Sequence, residues 1–193
     1  MQNKLQMENM VISLLETNIP ATYLYHNLAH TLYVQEKAIE IGRHEGCMEH
    51  ELELLGTAAL WHDTGYVKTY NNHEEESCII ARKNLPKYGF SIADTNRVCG
   101  MIVATKIPQS PKNKLEEILA DADLEYLGTA NVDLKAFDLF RELQSIDLLL
   151  TEEKWCQMQI SFLQKHHYFT NFCKKYREPS KQIYLRKLTK GVP

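Results

Sequence analysis

Glycine and proline are scarce, 8 and 6 in 193 residues, and no window approaches the roughly eighteen consecutive apolar residues that a membrane-spanning helix needs. The first shortage excludes collagen-like and low-complexity chains. No basic start followed by an apolar run and a small-residue cleavage site opens the chain, so a soluble, unexported, cytoplasmic protein with no membrane partner is expected. Five cysteines lie far apart, with no CxxC pair and an odd total, which fits reduced thiols better than a disulfide framework. Charge of one sign is missing as well: 22 Lys and Arg against 25 Asp and Glu leave a net −3, and nucleic acid is not an expected partner.

The small net charge conceals an uneven distribution. From residue 171 to 193, seven basic residues stand against the single acid Glu178. The plain reading is a solvated helix face that pairs with the acidic remainder of the chain. The other reading is an edge that contacts phosphate or RNA.

Strand-like alternation of useful length is hard to find, whereas apolar residues recur at three- and four-residue steps throughout. Leu28, Leu32 and Ile39; Leu52, Leu55 and Ala59; Leu134, Phe137, Phe140 and Leu143; and Trp155, Met158 and Phe162 form such stripes, read as core. Start signals agree at Asn27, Ser91, Asn131 and Thr151. The pattern predicts helices over about 3–17, 28–44, 49–63, 73–87, 91–105, 114–121, 131–148 and 152–166, with a helical tail from about 171. No repeat or linker divides the chain, so the expected fold class is all-α, a single-domain helical bundle over 1–193.

Three segments carry chemistry. In Leu60-Trp-His-Asp-Thr-Gly65 an apolar helix ends in adjacent imidazole and carboxylate groups, His62 and Asp63, with Gly65 placed to stop it in the left-handed conformation. A carboxylate at a buried helix C-terminus meets an unfavourable dipole and desolvation, costs that a neighbouring cation offsets. In Tyr25-His-Asn-Leu-Ala-His-Thr31, His26 and His30 stand four residues apart across a helix start capped by Asn27, so both are ligands, or one orients the other, or the pair only caps and packs. In Ile118-Leu-Ala-Asp-Ala-Asp-Leu124 two acids interrupt an apolar stretch, and their alternation sends one inward while the other caps or supports. His44, His50, His166 and His167 have no comparable context.

These motifs together, with His73-Glu-Glu-Glu-Ser77 and Asp121-Ala-Asp-Leu-Glu-Tyr-Leu-Gly128, resemble the HD-domain superfamily of metal-dependent phosphohydrolases over about residues 25–128. The resemblance implies a motif-bearing core there, with the helices of about 131–193 packed on it. It places four metal ligands on His30, His62, Asp63 and Asp123, with Asp121 as the fallback, and makes His26 a pocket or outer residue that meets the substrate phosphate. His73 matches a position used by binuclear members, but Thr105 and Lys106 stand where further imidazoles would be expected, so one divalent ion is favoured.

Two imidazoles and two carboxylates leave open positions on a six-coordinate ion, which suits Mn, Fe, Co, Ni or Mg better than a closed structural zinc. The expected activity is release of phosphate from a small phosphorylated metabolite, a nucleotide or related phosphomonoester. Asp63 or Asp123 would hold the attacking water, His73 or one of Glu74 and Glu75 would supply the leaving-group proton, and Lys68 and Lys106 would neutralise phosphate oxygens. The alternatives are a non-catalytic nucleotide-binding regulator of the same architecture and, behind it, a di-iron oxygenase. Tyr66, Tyr70, Tyr126 and Tyr168 are candidates for shaping the pocket.

Overall fold

A computed structural model describes residues 2–191; Met1, Val192 and Pro193, at the two ends of the expected domain, lie outside the described residues. Ten α-helices follow one another: α1 (Gln2–Asn18), α2 (Leu28–His44), α3 (Glu49–Trp61), α4 (His73–Asn84), α5 (Ile92–Ala104), α6 (Lys114–Asp123), α7 (Val132–Ile146), α8 (Glu152–Lys165), α9 (Asn171–Tyr176) and α10 (Glu178–Gly191). Three 3-10 turns, Thr64–Val67, Leu85–Tyr88 and Glu125–Gly128, punctuate them, and no strand occurs among the described residues. The fold class is all-α, as the periodicity predicts.

The caps read from sequence explain several boundaries. Asn27 accepts from the His30 N–H at 3.1 Å, Ser91 from Asp94 at 3.0 Å and Thr151 from Lys154 at 3.3 Å, each satisfying a donor that the helix itself cannot. Asn131 makes no such bond. The tail from 171 divides at Arg177, where Pro179 occupies the first turn of α10 and favours a fresh start over continuation.

Helix α2 packs along α3 and α6, and α5 lies against α3, α4 and α6. The main core fills their centre with Leu54, Leu55, Trp61, Met101, Ile102 and Leu119. A smaller core under α7, α8 and α10 gathers Tyr25, Leu124, Tyr126, Leu127, Leu163 and Tyr184. Gly128 lets α10 approach: a Cβ there would stand 2.4 Å from the Arg177 carbonyl oxygen. Beside it, Glu125 is fully buried and accepts hydrogen bonds from Tyr33 and Arg177.

The structure corrects three expectations. Helix α3 stops at Trp61, not at 63, so His62 and Asp63 stand in the turn that follows. Gly65 is not left-handed; among the glycines of the described residues only Gly46 and Gly89 have positive φ. Its constraint is space, because a Cβ would sit 2.0 Å from the His73 carbonyl oxygen where the turn docks on α4. The α7 stripe is core only in part: Phe140 is buried, but Leu134 and Phe137 are 67% and 58% exposed.

The basic tail is largely committed to partners within the fold. Lys187 pairs with Asp133 at 2.8 Å, Arg177 pairs with Glu125, and the buried Lys181 pairs with Glu178 at 2.8 Å while donating to the His166 carbonyl at 2.7 Å. No helix among the described residues is long and apolar enough to cross a membrane.

Candidate metal centre

Three elements deliver the site. The Asn27 cap fixes the first turn of α2 and turns His30 inward; the end of α3 presents His62 and Asp63; the last residue of α6 is Asp123. The turn after α3 is locked by Ser77, whose hydroxyl donates to the His62 carbonyl at 2.6 Å and accepts the Gly65 N–H at 2.7 Å.

The donor atoms converge closely. His30 Nε2 lies 3.1 Å from Asp123 Oδ1 and 3.5 Å from Asp63 Oδ2, while His62 Nε2 lies 3.2 Å from Asp63 Oδ2 and 3.4 Å from Asp123 Oδ1. One donor atom from each of His30, His62 and Asp123 falls within 4.8 Å of the others, a possible metal site. Ligands about 2.0–2.2 Å from a shared ion stand roughly 3–3.5 Å apart, so the observed separations suit one cation.

Four buried side-chain polar atoms among the described residues have no hydrogen-bond partner: Trp61 Nε1, His166 Nε2, His62 Nε2 and Asp63 Oδ2. The last two face each other at 3.2 Å. Orphaned buried groups of this kind are costly, and a cation between them removes the cost. The tautomer also suits ligation, because His62 Nδ1 donates to the Ala59 carbonyl at 2.6 Å and leaves Nε2 to the cluster.

Electrostatics agree with the geometry. Burial lowers the His30 pKa despite Asp123 and Asp63, which keeps that imidazole neutral. Burial also opposes charge on His62, but Asp63 and Asp123 outweigh it and raise its pKa well above the ordinary value. Both carboxylates feel burial pushing their pKa up, yet His62 dominates at Asp63, and His30 with His62 at Asp123, so both end low. The cluster favours a positive charge at its centre.

Asp63 and Asp123 of the cluster line one end of a cavity of about 420 Å³. Asp63, Asp123, His26, His73, Glu74 and Lys106 line its polar end, and Tyr66, Tyr70 and Tyr126 also reach it. His73 Nε2 approaches Asp63 Oδ1 at 3.5 Å and Glu74 Oε1 at 3.7 Å, and its ring stacks on Tyr66 with centroids 3.9 Å apart. Lys106 bonds Glu75 and, at 3.0 Å, Asn72 Oδ1. The opposite arm is apolar, walled by Leu127, Leu139, Trp155, Met158 and Phe162.

A family model for the HD domain matches residues 27–125 of this chain, half of its length. The chain belongs to the HD-domain family. The match opens at the α2 cap and closes just after Asp123, so the HD domain takes in His30, His62, Asp63 and Asp123 and leaves the apolar arm outside. Two crystal structures share the fold. A predicted HD superfamily hydrolase from an uncultured Thermotogales bacterium aligns with TM-score 0.65 and 21% identity over 94% of this chain and 89% of its own. YpgQ of Bacillus subtilis, solved in complex with ADP, aligns with TM-score 0.67 and 22% identity over 100% of this chain and 96% of its own. No curated protein matches the sequence.

Within this HD domain the remaining residues singled out from sequence fall in different places. Asp121 points away from the cluster, its carboxylate accepting the Phe169 and Thr170 N–H groups at 2.9 and 2.8 Å and the Thr170 hydroxyl at 2.6 Å. Lys68 does not reach the cavity; its ammonium pairs with Glu76 at 2.5 Å on the surface, because the Thr64–Val67 turn carries it outward. Tyr168 is buried elsewhere, donating to the Leu124 carbonyl at 3.1 Å, and shapes no part of the pocket. His26 lies beside the cluster, its ring centroid 5.9 Å from that of His30.

Sequence reasoning missed Glu142, Ser77 and the walls of the apolar arm. The Trp155, Met158 and Phe162 stripe, read as core, lines the cavity instead, a distinction that helical periodicity does not encode. Glu142 carried no local signal: one residue from Leu143 and two from Phe140, it stands about 100° and 200° round the helix from them, off the apolar stripe.

Proposed function

We propose that this chain is a metal-dependent phosphohydrolase that releases phosphate from a small phosphorylated metabolite, a nucleotide or related phosphomonoester. The observation that carries this reading is the pair of orphaned atoms, His62 Nε2 and Asp63 Oδ2, meeting His30 and Asp123 behind the end of an open cavity that Asp63 and Asp123 line. His30, His62, Asp63 and Asp123 hold one divalent ion, drawn from Mn, Fe, Co, Ni or Mg by the mixed imidazole and carboxylate set. Such an ion supplies Lewis acidity toward a phosphate oxygen and lowers the pKa of water.

The surrounding residues complete the chemistry. Asp63 Oδ1, on the His73 side of the cluster, orients the attacking water. As the bond to phosphorus forms and the ester P–O bond breaks, the leaving oxygen takes a proton from His73, with Glu74 behind it at 3.7 Å, and the proton shed by the attacking water reprotonates His73. His26 and Lys106 meet the phosphate oxygens at the polar end of the cavity. The apolar arm, with Trp155 and Phe162 in its wall, accepts a flat organic body, and the ADP carried by YpgQ supports a nucleotide as guest. Five free cysteines suit a cytoplasmic setting. The motif-bearing core of about 25–128 and the helices of about 131–193 work as one domain, because the cavity draws walls from both.

The test is a phosphate-release screen of nucleotides and sugar phosphates with Mn²⁺, Co²⁺, Ni²⁺ and Mg²⁺. Some member of the panel is turned over by the wild type, and His62→Ala and Asp63→Ala lose roughly a thousandfold or more, the scale of several kcal/mol of charge stabilisation. A His62→Ala chain with full activity contradicts the reading. Tight nucleotide binding with metal present and no product across the panel favours a regulator instead.

A further inference from the structure

Glu142 stands on α7, outside the family match, with a side chain that is 0% exposed. Its Oε2 accepts the backbone N–H groups of Tyr25 at 2.8 Å and His26 at 2.9 Å. Its Oε1 lies 2.5 Å from His26 Nδ1 and accepts the Tyr70 hydroxyl at 3.1 Å. Sealing a carboxylate from water costs several kcal/mol unless its lone pairs are filled, and an apolar residue would hold α7 in place without that cost. What the charge adds is a grip on one imidazole.

The grip has a direction. Glu142 does not line the cavity, whereas His26 does. The Nδ1 edge of the ring therefore faces the carboxylate, and the opposite edge, carrying Nε2, faces the cavity. One face of the ring is stacked on Tyr66, with centroids 4.4 Å apart and planes at 29°, and Tyr25 meets it edge-on at 4.7 Å. A carboxylate accepts and never donates when ionised, so His26 Nδ1 must carry the proton in that contact. Nε2 is then the one polar atom that His26 offers a guest.

We infer that Glu142 is a positioning residue: it fixes His26 with Nδ1 protonated and Nε2 aimed into the cavity beside the candidate metal centre, where that nitrogen, the acceptor left on the ring, shares one proton with a phosphate oxygen and so directs the phosphate group. This inference rests on the phosphohydrolase reading for its consequence, but not for its geometry. It assigns a role to a helix that the family match does not include, and it makes His26 and Glu142 one functional unit.

The experiment combines two readouts on the Mg²⁺-loaded full chain. Nitrogen-15 NMR of the histidine rings, at a pH where His26 is neutral, shows Nδ1–H in the wild type and its loss in Glu142→Gln. In phosphate release, Glu142→Gln and His26→Gln each lower kcat/KM about 10- to 100-fold with metal content unchanged, and the double variant loses no more than the worse single one. Three results overturn the inference: an Nε2–H tautomer in the wild type, which needs no variant; a Glu142→Gln chain within twofold of wild-type kcat/KM; or losses that multiply in the double variant, the behaviour of two independent structural defects. A wild type that turns over nothing defeats the phosphohydrolase reading instead, and the tautomer alone then decides whether Glu142 positions His26.

Discussion

Asp121 and Asp123 stand two residues apart at the end of α6, and one joins the His30 and His62 cluster while the other ties down the segment before α9. Two residues advance a helix by about 200°, so the two carboxylates face opposite sides. Asp121 is buried, and three donors from Phe169 and Thr170 fill its lone pairs. Asp123 faces the two imidazoles at 3.1 and 3.4 Å in a cluster that still contains two orphaned atoms. The difference separates a buried acid whose partners are complete within the protein from one in a cluster that still holds orphaned atoms.

Exchanging each acid for alanine sharpens that contrast most. Asp123→Ala should lower phosphate release by roughly a thousandfold while the chain stays folded. Asp121→Ala should spare activity per folded molecule but cost about 2–3 kcal/mol of stability, because the Phe169 and Thr170 donors lose their acceptor. Urea unfolding and activity measured on the same preparations separate the two outcomes. Equal effects on both readouts would break the comparison.

His166 offers a different control, an orphaned buried nitrogen on a ring whose other nitrogen meets the Lys181 ammonium at 3.1 Å. Burial, reinforced by Lys181, lowers its pKa to about 3. The unfolded chain protonates this residue near pH 6.5, so stability is fully present above that pH and falls as the medium is acidified toward about 3. His166→Gln should flatten that part of the stability profile, by roughly 1–2 kcal/mol at pH 5, and leave metal content and activity unchanged. Loss of metal in this variant would show that an orphaned atom alone does not mark the centre.

The smallest effect concerns the apolar arm. Trp155→Ala should raise KM about tenfold for a nucleotide and leave a three-carbon phosphate nearly unaffected, since about 1.4 kcal/mol of apolar contact is lost only by a guest that reaches the arm. Equal changes for both substrates would remove the arm from recognition.

Much of this arrangement was legible in the chain. Helix boundaries came within two or three residues wherever a cap or a proline enforced them, as at Asn27, Ser91 and Thr151. The set of four residues was legible only through the resemblance to the HD-domain superfamily; His62 and Asp63 at the end of an apolar helix carry a cost that local sequence cannot relieve, which pointed to a cation but not to its other neighbours. Lys68 was misjudged because six residues of spacing say nothing about which way a 3-10 turn points. Glu142 went unread because its partners, Tyr25, His26 and Tyr70, lie between 72 and 117 residues away along the chain. A contact across that distance leaves no local pattern.

Elemental analysis of the chain purified in the presence of Mn²⁺ tests the central claim most directly, with Asp121→Asn and Asp123→Asn measured beside the wild type. Wild type and Asp121→Asn should each retain about one divalent ion per molecule, and Asp123→Asn should retain almost none. An equal metal content in all three chains, or none in the wild type, would contradict it.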